Sequence, residues 1–193
     1  MGHSMTEFGF DDLPQLLEQY AATHLPSDSY SYHRVLVAEA KKRLRQLWRL
    51  SGIVLGLCNR ISALKPQINA LPPLDTPDPP QEVLEWIEAI DSLEMYTEAF
   101  YYLAWRLRQV IRTLPGLKSF DALGIRLARN HLIEHPEKHG QDVLWAFTIS
   151  DTEGPILLRA STSDDRKWDK GLWPNVMELT QRLREALRAA IAN

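Results

Sequence analysis

The sequence predicts a mainly α-helical bundle built on two long antiparallel helices, with a small β-hairpin before the C-terminal helix. Three observations predict it. Two long segments, 32–66 and 81–114, carry apolar residues at alternating spacings of three and four, which is the period of one helix face. The stretch between and around their ends, PQINALPPLDTPDPPQ, holds half of the twelve prolines and reads as an extended connection. Beyond it, short apolar runs flank turn-forming residues, and the helical period is lost.

A chain of 193 residues that is 45% apolar and 24% charged can bury one core. We read residues 6–193 as one helical domain with the hairpin inserted at about 143–160. Residues 1–5, MGHSM, read as an expression remnant with the native start near Met5. A net charge of −3 gives no global pull toward nucleic acid or membrane. The lone Cys58 excludes a disulfide within the chain and fits a reducing compartment. No apolar run approaches the roughly 20 residues of a membrane span. A cytoplasmic protein without a membrane partner is the expectation.

The elements follow in chain order. DDLPQLLEQYAATHL predicts a short helix with Pro14 tolerated in its first turn. YHRVLVAEAKKRLRQLWRLSGIVLGLCNRISALKP predicts the first long helix, ending at Pro66. Val37, Ala40, Leu44, Leu47, Ser51, Val54, Cys58 and Ile61 form its seam, and Gly52 and Gly56 lower propensity or admit a close neighbour. The second long helix, 81–114, has a seam of Trp86, Ile90, Leu93, Thr97, Phe100, Ala104, Leu107, Ile111 and Leu114, and is stopped by Pro115 and Gly116. Ser119 is expected to cap a third helix, SFDALGIRLARNHLIEH, with Leu123 and Leu127 toward the core and Pro136 closing it. VLWAFTI and PILLRA around SDTEG predict the hairpin. STSDDRKWDKGLW reads as loop, and PNVMELTQRLREALRAAIAN as a closing amphipathic helix with Pro174 in its first turn.

Charge is segregated along the chain. Between Arg34 and Lys65 the bases Arg34, Lys41, Lys42, Arg43, Arg45, Arg49, Arg60 and Lys65 stand against Glu39 alone, whereas 75–98 holds acids and no base. Two readings of this stay open: pairing of the acidic half-helix with the basic helix, and a basic groove between the first long helix and the third that follows a phosphate backbone, with Lys41, Lys42, Arg45 and Arg126 as RNA-binding candidates; the two can coexist where only some of the bases are paired.

Gly-rich phosphate loops, GxSxG, HExxH and paired CxxC are absent from the sequence. Cys58 lies in an apolar seam and reads as a core residue. The aromatic tract MYTEAFYYLAW reads as core and interface. The remaining chemistry sits in RNHLIEHPEKH, 129–139, which holds three of the six histidines. Three readings stay open. His131 and His135 are spaced for one helix face beside Glu134, and with His139, His24 or His33 they would make a zinc set. Alternatively, Asn130 and His135 satisfy carbonyls at a helix end, where the dipole favours histidine.

The third reading is a resemblance. A helical bundle with Arg129, a polar Asn130 directly after it, and His135 a few positions on resembles the HEPN superfamily (higher eukaryotes and prokaryotes nucleotide-binding) over about 32–135. The resemblance implies a homodimer whose paired motifs form a metal-independent ribonuclease, with no cofactor and no metal. His135 would be the general base on a ribose 2′-OH, Arg129 would hold the charged phosphate, and Asn130 would position the ring or a phosphate oxygen. The products would carry 2′,3′-cyclic phosphate ends. Many proteins of this kind instead bind nucleotides or a protein partner without catalysis.

Overall fold

A computed structural model describes residues 8–27, 31–71, 78–121, 125, 144–150, 154–161 and 176–192. The element order is α1 (Leu13–His24), α2 (Tyr32–Asn69), α3 (Gln81–Thr113), β1 (Leu144–Ser150), β2 (Gly154–Ser161) and α4 (Val176–Ala192). The chain is mainly helical, as the periodicity predicts.

α1 starts where the apolar spacing and Pro14 place it, and it buries Leu13, Leu16, Leu17, Tyr20 and Ala21. α2 opens on Ser31, whose hydroxyl accepts from the Arg34 amide at 3.4 Å, a cap that fixes the helix start. Its seam from Val37 to Cys58 is buried as expected, joined by Leu55 and Leu64. The expected stop at Pro66 is a correction: α2 continues through Pro66 to Asn69. Proline there removes the amide that would bond the Ser62 carbonyl, but only three helical residues follow it, so the loss stays confined to the helix end. Gly56 is not a close approach either, because a Cβ there would meet nothing within 4 Å.

α3 packs along α2, and Arg60 of α2 reaches Glu85 at 3.5 Å and Glu88 at 4.0 Å. The α3 seam is buried from Leu93 to Leu114, but at its start the buried residues are Val83 and Ala89, while Trp86 and Ile90 are half-buried. α3 ends at Thr113, and Gly116 takes φ +74° just past it. Tyr20 of α1 donates its hydroxyl to the Pro115 carbonyl at 2.5 Å, tying this corner to α1.

Ser119 does not cap a helix. It is exposed, Phe120 and Asp121 lack helical geometry, and Asp121 accepts instead from Arg108 Nε at 2.7 Å. Ile125 is helical and buried. The rest of the expected third helix, with Leu123, Leu127 and Pro136, lies outside the described residues, as do the loop 162–173 and Pro174. β1 and β2 pair antiparallel, with Phe147 opposite Leu158 and an irregularity between Thr148 and Ser150. β2 lies against α2 and α4.

α4 buries Val176, Leu179, Thr180, Leu183 and Leu187 against the same core as α1. The segment that leads into α1 meets α4 here. Thr180 Oγ1 donates to the Phe8 carbonyl at 3.3 Å, and Arg184 Nη2 to the Gly9 carbonyl at 2.8 Å. Arg184 also grips the Asp12 carboxylate through Nε and Nη2 at 2.8–3.0 Å. The guanidinium hydrogen bond holds the Asp12 pKa below its usual 3.8, against an opposing effect of burial.

Candidate functional site

A groove of about 320 Å³ lies between α1 and α2, lined by Glu18, Ala21, Arg34, Val37, Ala38, Lys41 and Arg45. Arg34, Lys41 and Arg45 are seven and four residues apart, so the helical period brings them to one face. Arg34 Nε donates to the Pro26 carbonyl at 2.6 Å, which holds the guanidinium at the groove's edge. Lys41 is hydrogen-bonded to Glu18 across the groove. Arg45 is exposed at the same face. Three cations thus stand against one carboxylate, and an anion held here would meet a forked donor and a point charge within two helical turns.

Of the four RNA-binding candidates, Lys41 and Arg45 share this groove, which is a correction in place: α1, not the expected third helix, forms its other wall. Lys42 does not: one residue beyond Lys41, it points about 100° away and lies 3.9 Å from Glu39. Glu39 also takes Arg43 Nη2 at 2.5 Å. Arg126 lies outside the described residues. Arg34 is the groove residue that charge counting did not single out; its spacing from Lys41 and Arg45 was the available signal. The catalytic candidates Arg129, Asn130 and His135, and the alternative ligands Glu134, His131 and His139, all lie outside the described residues as well. The chain that leads to them is held at Asp121 by Arg108, which is 7% exposed.

Among the described residues no group of three His, Cys, Asp or Glu is placed to hold a metal ion. His24 stacks on Tyr20 at 5.2 Å with its Nε2 buried and without a partner. His33 sits beside Tyr32 at the start of α2. Cys58 is buried, and desolvation pushes its thiol up to about 11, so it is a core residue and a poor nucleophile. The aromatic tract divides between two roles. Phe100 and Tyr101 are buried edge to face at 5.7 Å, while Tyr102 is exposed.

A second cavity, of about 420 Å³, is lined by Asp12, Gln15, Leu16, Gln19, Arg188, Ile191 and Ala192. Its carboxylate is already engaged by Arg184 and by Arg188 at 3.4 Å, which makes it a helix junction rather than a place for chemistry.

No family model, no curated protein and no solved structure matches the chain. Fold and groove therefore define the class on their own: a mainly helical bundle with a cationic groove. Among the described residues no helix is long and apolar enough to cross a membrane.

Proposed function

We propose that this chain is a HEPN-like, RNA- or nucleotide-associated protein of the cytoplasm, with metal-independent endoribonuclease chemistry at Arg129, Asn130 and His135. The architecture proposed with it is two long antiparallel helices, α2 and α3, and a β1–β2 hairpin ahead of α4. The reach of Arg60, late in α2, to Glu85 and Glu88, early in α3, supports the antiparallel sense.

The observation that carries the reading is the groove in which Arg34, Lys41 and Arg45 face one carboxylate. Spaced cations along one helix suit successive phosphates of a strand. The chemistry itself rests on the sequence motif. His135 would take the proton from a ribose 2′-OH, and imidazole titrates near working pH. The O2′ would then bond to phosphorus as the P–O5′ bond breaks and the departing oxygen takes up a proton. Arg129 would stabilise the charge that builds on the phosphate with its bidentate fork. A 2′,3′-cyclic phosphate results, and DNA, lacking the 2′-OH, is spared.

Titration of a single-stranded RNA against groove variants tests the binding half of the proposal. Arg45→Ala and Arg34→Ala are expected to weaken binding and to lower the salt slope by roughly 0.7 each. Glu18→Gln is expected to strengthen binding by freeing Lys41. Affinity that ignores all three substitutions would remove the groove from the proposal.

The second reading is a non-catalytic helical dimer or partner-binding protein. The observation in its favour is the exposed Tyr102 of the aromatic tract together with other exposed apolar residues of α3.

A further inference from the structure

On the side of α3 away from its buried seam, Leu84, Ile87, Met95 and Tyr102 are exposed at 47%, 44%, 55% and 45%. At about 100° per residue these four fall within an arc of about 80°. Exposed Asp91 and Glu98 lie inside the same arc, and exposed Glu88 lies at its edge. The mixture is ordered. Leu84 with Glu88, Asp91 with Met95, and Glu98 with Tyr102 are each four residues apart, so each pair sets one carboxylate beside one large apolar side chain. The pairs repeat every seven residues along about 27 Å of helix, which is the period at which one helix meets another.

The acids decide what can cover this face. The sequence has no Lys or Arg between Pro66 and Trp105, so α3 brings no base of its own to these carboxylates. A neutral apolar cover would take them out of water without a partner. A second copy would bring the same acids into the contact, and RNA would bring phosphates. Lysine and arginine answer both halves of each pair. Their stems lie along Met95 or Tyr102 while their charged heads reach the carboxylate one turn away. A guanidinium also stacks well on the ring of Tyr102.

We propose that the outer face of α3 docks a basic amphipathic α-helix of a partner protein. Its large apolar residues lie toward Leu84, Met95 and Tyr102, and its lysines or arginines toward Glu88, Asp91 and Glu98. The inference rests on the partner-binding form of the second reading and supplies the chemistry of the partner.

Three designed helical peptides of about 21 residues test it. They share one leucine face and carry lysine, glutamine or glutamate beside it. Each is titrated into the full chain by calorimetry. The lysine peptide is expected to bind at roughly 10–100 μM, at least about tenfold tighter than the glutamine peptide. Asp91→Lys and Met95→Asp are each expected to weaken it roughly tenfold, with circular dichroism confirming that both variants remain helical. Glu185→Lys makes the same change of charge on the exposed side of α4 and is expected to leave the affinity within about twofold. Equal binding of the lysine and glutamine peptides overturns the basic partner while leaving the partner-binding reading standing. Failure of all three peptides overturns both. Binding indifferent to Asp91→Lys and Met95→Asp, or weakened as much by Glu185→Lys, is general charge attraction and also overturns the proposal. Sedimentation of the chain alone checks the rival occupant: a dimer that Met95→Asp dissociates would give the face to a second copy.

Discussion

Gly9 has φ +70°, and a Cβ there would stand 2.8 Å from Thr180 Oγ1, so both backbone and neighbour require glycine. Gly116 has φ +74° but open space around it. Chemical denaturation should therefore separate the two. Gly116→Ala is expected to cost about 1 kcal/mol from backbone strain alone, and Gly9→Ala distinctly more, because the Thr180–Phe8 hydrogen bond must also give way. Equal losses would mean that α4 can move away from the N-terminal segment at no cost. Asp12 supplies a pH signature at the same junction. Its pKa is lowered by Arg184, so its contribution is full above about 3.8 and is lost as pH falls through the lower folded value. Thermal melts should show Asp12→Asn less stable than the parent at neutral pH by about 1 kcal/mol, with the gap closing as the pH falls below 3.8. A gap that widened in acid would contradict the ion pair.

At the scale of elements, the α2–α3 pair contains one buried hydroxyl that its packing does not satisfy. Thr97 is fully buried and its Oγ1 has no partner, whereas Ser51 on α2 donates to the Leu47 carbonyl at 2.9 Å. Thr97→Val keeps the shape and removes an unpaired polar atom, so it is expected to raise stability by about 1 kcal/mol in urea unfolding. A loss of stability would show that the hydroxyl is paired. These helices were also the most legible part of the sequence, because a seam repeated over about seven or eight turns (~40 Å) leaves little ambiguity. Legibility failed where one local signal was read without its context. Pro66 looked like a stop, but a proline in a last turn removes only one hydrogen bond. Ser119 looked like a cap, but the chain turns there to let Asp121 meet the buried Arg108. Trp86 and Ile90 fit the period, yet at this end of α3 it is Val83 and Ala89 that are buried, and the larger side chains stay half out.

For the whole molecule, the feature least visible in sequence is the contact of α4 with the segment that leads into α1. Asp12 and Arg184 lie 172 positions apart, and no periodicity within α1 or α4 announces that they meet. The groove was half legible for a related reason. Lys41 and Arg45 share a helix face by spacing alone, but that Glu18 of α1 stands opposite them is a tertiary fact. Bundle, groove and the Arg129–His135 motif combine in one claim, that the chain performs phosphate chemistry on RNA with an imidazole base and a guanidinium. The most direct test is incubation of the purified chain with single-stranded RNA in EDTA, beside His135→Ala of matched melting temperature. Cleavage to 2′,3′-cyclic phosphate ends by the parent, and none by the variant, is expected. Intact RNA with the parent, or equal cleavage by both, would contradict it.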